Sequence, residues 1–219
     1  MNHVASSARR QWLASAASLA LAGCASVVDK PQRPTLFDLG PIASVAPPPE
    51  RPGPRAPLVI PEIDASGALD GSAILYRLAY SDDHQLRAYS MSRWSAPAPQ
   101  LVRQRLRQQL GRERPVLTLD ESAAIARQAG EPLYTLRLEL EEFSHVFDTP
   151  ERSRGVLRLR ATLLANTAAG EALLGQRSIG VEGVAPSPDA PGGVRALTAA
   201  TDAAAQDIGQ WLRQVSAPR

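Results

Sequence analysis

The chain has a single cysteine, Cys24, in 219 residues. A lone thiol forms no internal disulfide, which excludes a small disulfide-stapled scaffold. Histidine is nearly as scarce, with His3, His84 and His145. Two imidazoles beyond the leader and no spare thiol are poor material for a structural zinc site. Lysine occurs once, at Lys30, in a chain otherwise rich in arginine and alanine, a pattern of GC-rich coding rather than of function. After residue 23 no apolar run approaches the ~20 residues a spanning helix needs. No Gly-x-Ser-x-Gly elbow, Walker loop, Gly-x-Gly-x-x-Gly or His-Glu-x-x-His is there. A nucleotide site is therefore not expected on this chain. Internal repeats are also missing.

What is there begins at the N-terminus. Residues 1–23 hold no acid, and Arg9 and Arg10 precede an apolar stretch from Trp12 to Ala22. About eleven apolar residues suit the core of a signal peptide and fall short of a membrane span. The stretch closes on Leu21-Ala22-Gly23-Cys24, which resembles a bacterial lipobox. Small residues let the backbone enter a peptidase, and the thiol accepts diacylglycerol. The expectation is cleavage between Gly23 and Cys24, with diacylglyceryl and N-acyl lipid on Cys24 as the covalent anchor. Several acyl chains, at about 0.8 kcal/mol per buried CH₂, hold stably. Residue 25 is Ala rather than Asp, which under the usual Gram-negative sorting rule favours the periplasmic face of the outer membrane. Arg9-Arg10-Gln11-Trp12-Leu13 resembles a twin-arginine motif, so both export routes stay open.

Removing 23 residues leaves 196, with 22 basic against 22 acidic side chains. That balance gives no reason to expect nucleic acid as a partner. Nine of the nineteen prolines fall between Pro31 and Pro57. Proline fixes φ and removes a donor, so residues 24–56 read as an extended tether, with Thr35-Leu36-Phe37-Asp38-Leu39 as a candidate edge strand within it. The folded domain is expected over 57–216. Leu58-Val59-Ile60 reads as a short strand, with Pro61 suggesting an edge. Residues 74–80 alternate as a strand, 81–84 as a turn, and 85–91 as the returning arm. A helix over 98–112 places Leu101, Val102, Leu106 and Leu110 on one face. A strand is expected at 116–119 and a short helix at 121–129. The strand from Leu133 changes phase between Leu140 and Phe143, as a bulge would make it do. Residues 156–165 and 173–184 form a hairpin around 166–170. The closing helix, 193–214, carries Val194, Leu197, Ala204, Ile208, Trp211 and Val215 as one stripe. The fold class is α+β: a mixed or antiparallel sheet with two long amphipathic helices packed on one face.

The lipobox, the proline-rich tether, Ala73-Ile74-Leu75-Tyr76-Arg77, the segment Tyr89-Ser90-Met91-Ser92-Arg93-Trp94 before a helix, and the closing Ile208-Gly209-Gln210-Trp211-Leu212 occur in this order. Together they resemble the ABC-type transport auxiliary lipoproteins, the PqiC-like outer-membrane lipoproteins. The resemblance implies a non-enzymatic part of an envelope lipid-transport system. Its partners would be a periplasm-spanning MCE-domain protein with an ABC permease and ATPase, docked to the outer membrane. It brings no catalytic residues. A phospholipid ligand and a homo-oligomer are left open, as are the alternatives of a lipid-anchored envelope hydrolase or a stand-alone assembly lipoprotein.

Four residues are candidates for partner or lipid contact. Trp94 is either core beneath the helix or an exposed interface anchor. Arg103, Arg105 and Arg107 are either a solvated helix face or a contact for anionic headgroups or an acidic partner. His84 and His145 read as surface residues. Glu139 and Glu141 read as the outward phase of a strand rather than as paired catalytic carboxylates.

Overall fold

A computed structural model describes residues 33–41, 56–118, 133–167 and 170–215. The expected signal peptide, Gly23, Cys24 and the expected helix over 121–129 lie outside the described residues. Residues 34–219 form one compact unit.

The spine of the sheet is β7, Leu133–Phe147. One flank of β7 pairs antiparallel with β8, Ser153–Thr167, which pairs antiparallel with β9, Gly170–Val184. The other flank is shared by three shorter strands, all parallel to β7: β2 (Leu58–Val59), β3 (Asp64–Ala65) and β4 (Ala73–Leu78). Beyond β4 lies β5, Asp82–Trp94, antiparallel, and β1, Thr35–Phe37, runs parallel beside the end of β5. Beyond β2 lies β6, Val116–Leu117. Two helices, α1 (Ala98–Leu110) and α2 (Ala190–Val215), complete the described elements. The fold is α+β with a mixed sheet, as the pattern of strands and amphipathic helices predicts.

Side-chain alternation decides which face is covered. In β8, Leu157, Leu159, Ala161 and Leu163 are buried, while Arg158 and Arg160 between them are exposed. The buried set shares one core with Val102, Leu106 and Leu110 of α1 and Leu197, Ala204 and Ile208 of α2. Burying each such aliphatic side chain is worth about 1.5–3 kcal/mol. The register of β7 against β8 shifts between Leu140 and Glu142. This is the expected bulge, and it flips the phase of the strand. Leu136, Leu138 and Leu140 are buried before it, Phe143 after it.

Helix α2 lies unusually close to the sheet. A Cβ on Gly155 would sit 2.6 Å from the Leu197 backbone nitrogen, and one on Gly183 would sit 2.5 Å from the Ala196 carbonyl oxygen. Both strands use the missing side chain to let the helix backbone approach.

Three details differ from the sequence reading. The segment around Leu39 belongs to the folded unit, not to a free tether. Leu39 is buried, and Ser95 N donates to the Phe37 carbonyl at 2.7 Å. Strand β2 is flanked on both sides, by β6 and β7, so it is not an edge. Pro61 causes no conflict because it follows the strand. The strand β5 starts at Asp82, so residues 82–84 open a strand rather than forming the turn.

Candidate functional site

The sequence around α1 explains why its two faces differ. Pro97 at the N-cap and Pro99 within the first turn begin it, a position where proline costs no hydrogen bond. The helix then reads Gln100-Leu101-Val102-Arg103-Gln104-Arg105-Leu106-Arg107-Gln108-Gln109-Leu110. Leu101, Val102, Leu106 and Leu110 are buried, and so is Arg105. It contains three arginines and no acid.

Trp94 is core. It is 2% exposed and its ring lies 5.5 Å from Phe143. It shares the core with Ala98, Leu101 and Val102 of α1.

Arg105 leaves the expected solvated face. Its side chain is 6% exposed, and all three of its nitrogens are used. Nε donates to Asp202 Oδ1 at 2.6 Å and Nη2 to Asp202 Oδ2 at 2.7 Å. Nη1 donates to the carbonyls of Leu39 at 3.1 Å and Gly40 at 2.9 Å. Gln109 Nε2 adds a bond to Asp202 Oδ1 at 2.8 Å. Burial pushes the Asp202 carboxyl up, but the Arg105 and Gln109 bonds outweigh that and leave it below its ordinary value. The guanidinium thus joins α1, α2 and the segment after β1. It faces the seam between helices, where its positive charge is satisfied inside the protein.

Arg103 and Arg107 remain on the outer side. Arg103 Nε donates to the Ile60 carbonyl at 3.2 Å and Nη1 to Glu62 Oε1 at 2.8 Å. The Glu62 side chain is 78% exposed. Arg107 Nη1 donates to the Leu117 carbonyl at 3.2 Å, and among the described residues no carboxylate pairs with it. A groove of about 580 Å³ runs here, lined by these arginines, Glu62 and Gln100, Gln104 and Gln108. The three glutamines are exposed and recur every four residues. Their side-chain amides make no hydrogen bond among the described residues. The spacing of four is legible in the sequence, but exposed glutamine at that spacing is also what an ordinary solvated helix face carries.

The other candidates for chemistry are held in structural arrangements. His145 is 0% exposed, which corrects the expectation of a surface residue. β7 runs on to Phe147, and its inverted phase turns His145 inward. Its Nδ1 lies 2.9 Å from the Tyr89 hydroxyl, and its Nε2 has no partner. A Cβ on Gly193 in the first turn of α2 would be 2.5 Å from that ring. Burial pulls the imidazole down to about 4, against the opposing pull of Asp189. Burial, followed by Tyr76 and Asp189, pushes the Tyr89 hydroxyl up. His84 is exposed beside Asp82 and Asp83. Their ligand atoms lie within 4.8 Å of one another because the residues are chain neighbours.

On the sheet face away from the helices, Glu142 is nearly buried. Burial raises its carboxyl, while the Ser144 hydroxyl and the guanidiniums of Arg77 and Arg158 bring it below the ordinary value. Glu139 and Glu141 face outward as expected, and both pair with Arg160.

The family model described as ABC-type transport auxiliary lipoprotein component matches residues 37–209. The chain belongs to that family. No curated protein matches. Among solved structures, the fold is similar to that of a Xanthomonas campestris protein, with a TM-score of 0.64 and 16% identity over 83% of this chain and 96% of that one. An uncharacterized protein is similar at a TM-score of 0.54 and 15% identity, over 82% of this chain and 99% of that one. At these identities the likeness is one of fold.

Proposed function

We propose that this auxiliary lipoprotein of ABC-type transport is an outer-membrane docking protein for an MCE-type lipid transporter. It is acylated on Cys24, stands on the periplasmic face, and holds a periplasm-spanning MCE-domain protein whose permease and ATPase lie at the inner membrane. The observation that carries this reading is the family match, which runs from Phe37 through Gly209 and so covers almost the whole described domain. The lipobox Leu21-Ala22-Gly23-Cys24 and Ala25 support the address. The proposed role is binding, not catalysis. Of the two histidines that could serve a Ser-His-Asp site, His145 is sealed against Tyr89 and His84 is a solvated neighbour of two aspartates. The large buried side chains are committed to one core, and the groove along α1 is lined by arginine, glutamine, glutamate and threonine, which suits a protein partner better than an acyl chain.

The test is a mild-detergent purification of the tagged chain from its own membranes, with mass spectrometry of what accompanies it. Recovery of an MCE-domain protein with ABC subunits supports docking. Consistent recovery of the chain alone, with cross-linking applied before lysis, overturns it. Cys24→Ala is expected to abolish acylation and release the protein from the outer membrane. Normal acylation of that variant would sink the lipid assignment.

A further inference from the structure

We infer that the outer face of α1 is a binding groove for an extended acidic segment of the protein partner. This inference rests on the docking reading and names the surface and the chemistry by which docking would occur.

The groove has a polarity that a merely solvated helix does not need. Solvated faces ordinarily mix both signs of charge, because opposite charges four residues apart stabilise a helix. Helix α1 has arginines and glutamines and no acid. Its one buried arginine, Arg105, is neutralised by Asp202. The two outer arginines are differently placed. Each donates to a main-chain carbonyl, Arg103 through Nε to Ile60 and Arg107 through one terminal nitrogen, Nη1, to Leu117. A guanidinium held in this way loses less side-chain entropy when a ligand arrives. Arg103 already donates to a carboxylate, that of the exposed Glu62, so a carboxylate is a group this face can hold. Arg107 points the remaining donors of its fork at no described carboxylate.

The glutamines decide between a peptide and a lipid headgroup. Each amide offers both a donor and an acceptor. A phosphate accepts only, and would leave the amide oxygens idle. An extended peptide presents N–H and C=O alternately and uses both. From Gln100 to Gln108 is eight residues, about 12 Å along the axis. That is the length of about four residues of extended chain at about 3.3 Å each. A segment with a carboxylate beside Arg107, and its main chain along Gln100, Gln104 and Gln108, satisfies every one of these groups.

The experiment uses the full chain in detergent and a fluorescein-labelled hexaglutamate peptide, with hexalysine as control. Hexaglutamate is expected to bind at low salt and weaken as salt screens the pair. Arg107→Gln is expected to weaken it about tenfold, the effect of one charge-assisted contact. Gln104→Ala is expected to weaken it several-fold while leaving the melting temperature within a degree or two, so that lost binding is not lost folding. Equal binding by wild type and Arg107→Gln overturns the groove, as does equal binding of hexalysine. A parallel flotation assay uses the unacylated Cys24→Ala chain, with and without Arg107→Gln, and vesicles of phosphatidylglycerol and phosphatidylcholine. Flotation that Arg107→Gln abolishes, without hexaglutamate binding, overturns the peptide in favour of a membrane contact.

Co-purification separates the two readings. If the partner accompanies both wild type and Arg107→Glu, the groove falls and docking stands. If it accompanies wild type and not Arg107→Glu, the groove is supported. If no partner accompanies even the wild type, docking falls, and the assignment of the groove to a partner falls with it.

Discussion

The two helices lie over the same core and use their surfaces differently. Near its N-terminal end, α2 meets the sheet through backbone and small residues, while Leu197, Ile208 and Trp211 fill the core further along. Gly193 meets the His145 ring, and Ala196 and Leu197 meet Gly155 and Gly183. At these glycines the backbone comes so close that nothing fits between helix and sheet. In α1 the apolar residues occupy one face, Arg105 seals the seam, and the outer face keeps a row of unused amides beside Arg107. The difference teaches that α2 is the structural helix of the pair, while α1 has surface to spare for another molecule. Two arginines two residues apart, Arg105 and Arg107, carry that contrast. One has four hydrogen bonds inside the protein and the other has one.

The contrast predicts unequal costs. Asp202→Ala strands the Arg105 guanidinium in the seam and is expected to destabilise by about 4 kcal/mol, read by urea unfolding. Replacing both partners by leucine should restore most of that loss, because no uncompensated charge then remains. A stability unchanged in Asp202→Ala would break the claim that the seam is closed by this pair.

Acid should act on α2 through His145. The group is neutral when folded and titrates near 4, whereas in the unfolded chain it titrates near 6.5. Below pH 6.5 the unfolded state takes up the proton first, so stability falls as pH drops from about 6.5 to 4 and levels off below. A shift of this size corresponds to about 3 kcal/mol at full loss. Asp202 and Glu142, with lowered values, lose their stabilising charge only as pH falls below their ordinary range. His145→Phe is expected to flatten the limb between pH 6.5 and 4 in thermal melts. An identical limb in that variant would assign the acid sensitivity elsewhere.

Gly183→Val drives a side chain at the Ala196 carbonyl. A cost of about 2 kcal/mol is expected, moderated because β9 pairs on one side only in the described structure and can yield outward. At the other end of the scale, Arg107→Gln should change stability by no more than about 0.5 kcal/mol, since the side chain forms no ion pair among the described residues. A large loss would mean that α1 is as structural as α2 and would erase the comparison.

Much of this was readable in advance, for local reasons. The stripe Val194, Leu197, Ala204, Ile208 and Trp211 could be assigned because helical spacing repeats along one element. The bulge in β7 was visible as a phase change between Leu140 and Phe143. The fate of His145 was not, because Ser144 and His145 look like the end of a strand that in fact continues to Phe147. The burial of Arg105 was likewise illegible. Its partner Asp202 is 97 residues away, and its other two acceptors are main-chain carbonyls, which no side-chain pattern reveals.

By itself the sequence determined the α+β class, the two amphipathic helices and the absence of familiar catalytic motifs, and it carries the lipobox from which a leader and a lipid site are expected. Each is written in neighbouring residues, as a run, a period or a spacing. Tertiary structure alone decided which arginine is sealed and which is available, that Trp94 is core, that Leu39 belongs to the domain, and that His145 is buried. Those outcomes depend on contacts between distant segments, where burial and the placing of an opposite charge or a carbonyl settle what a side chain can do.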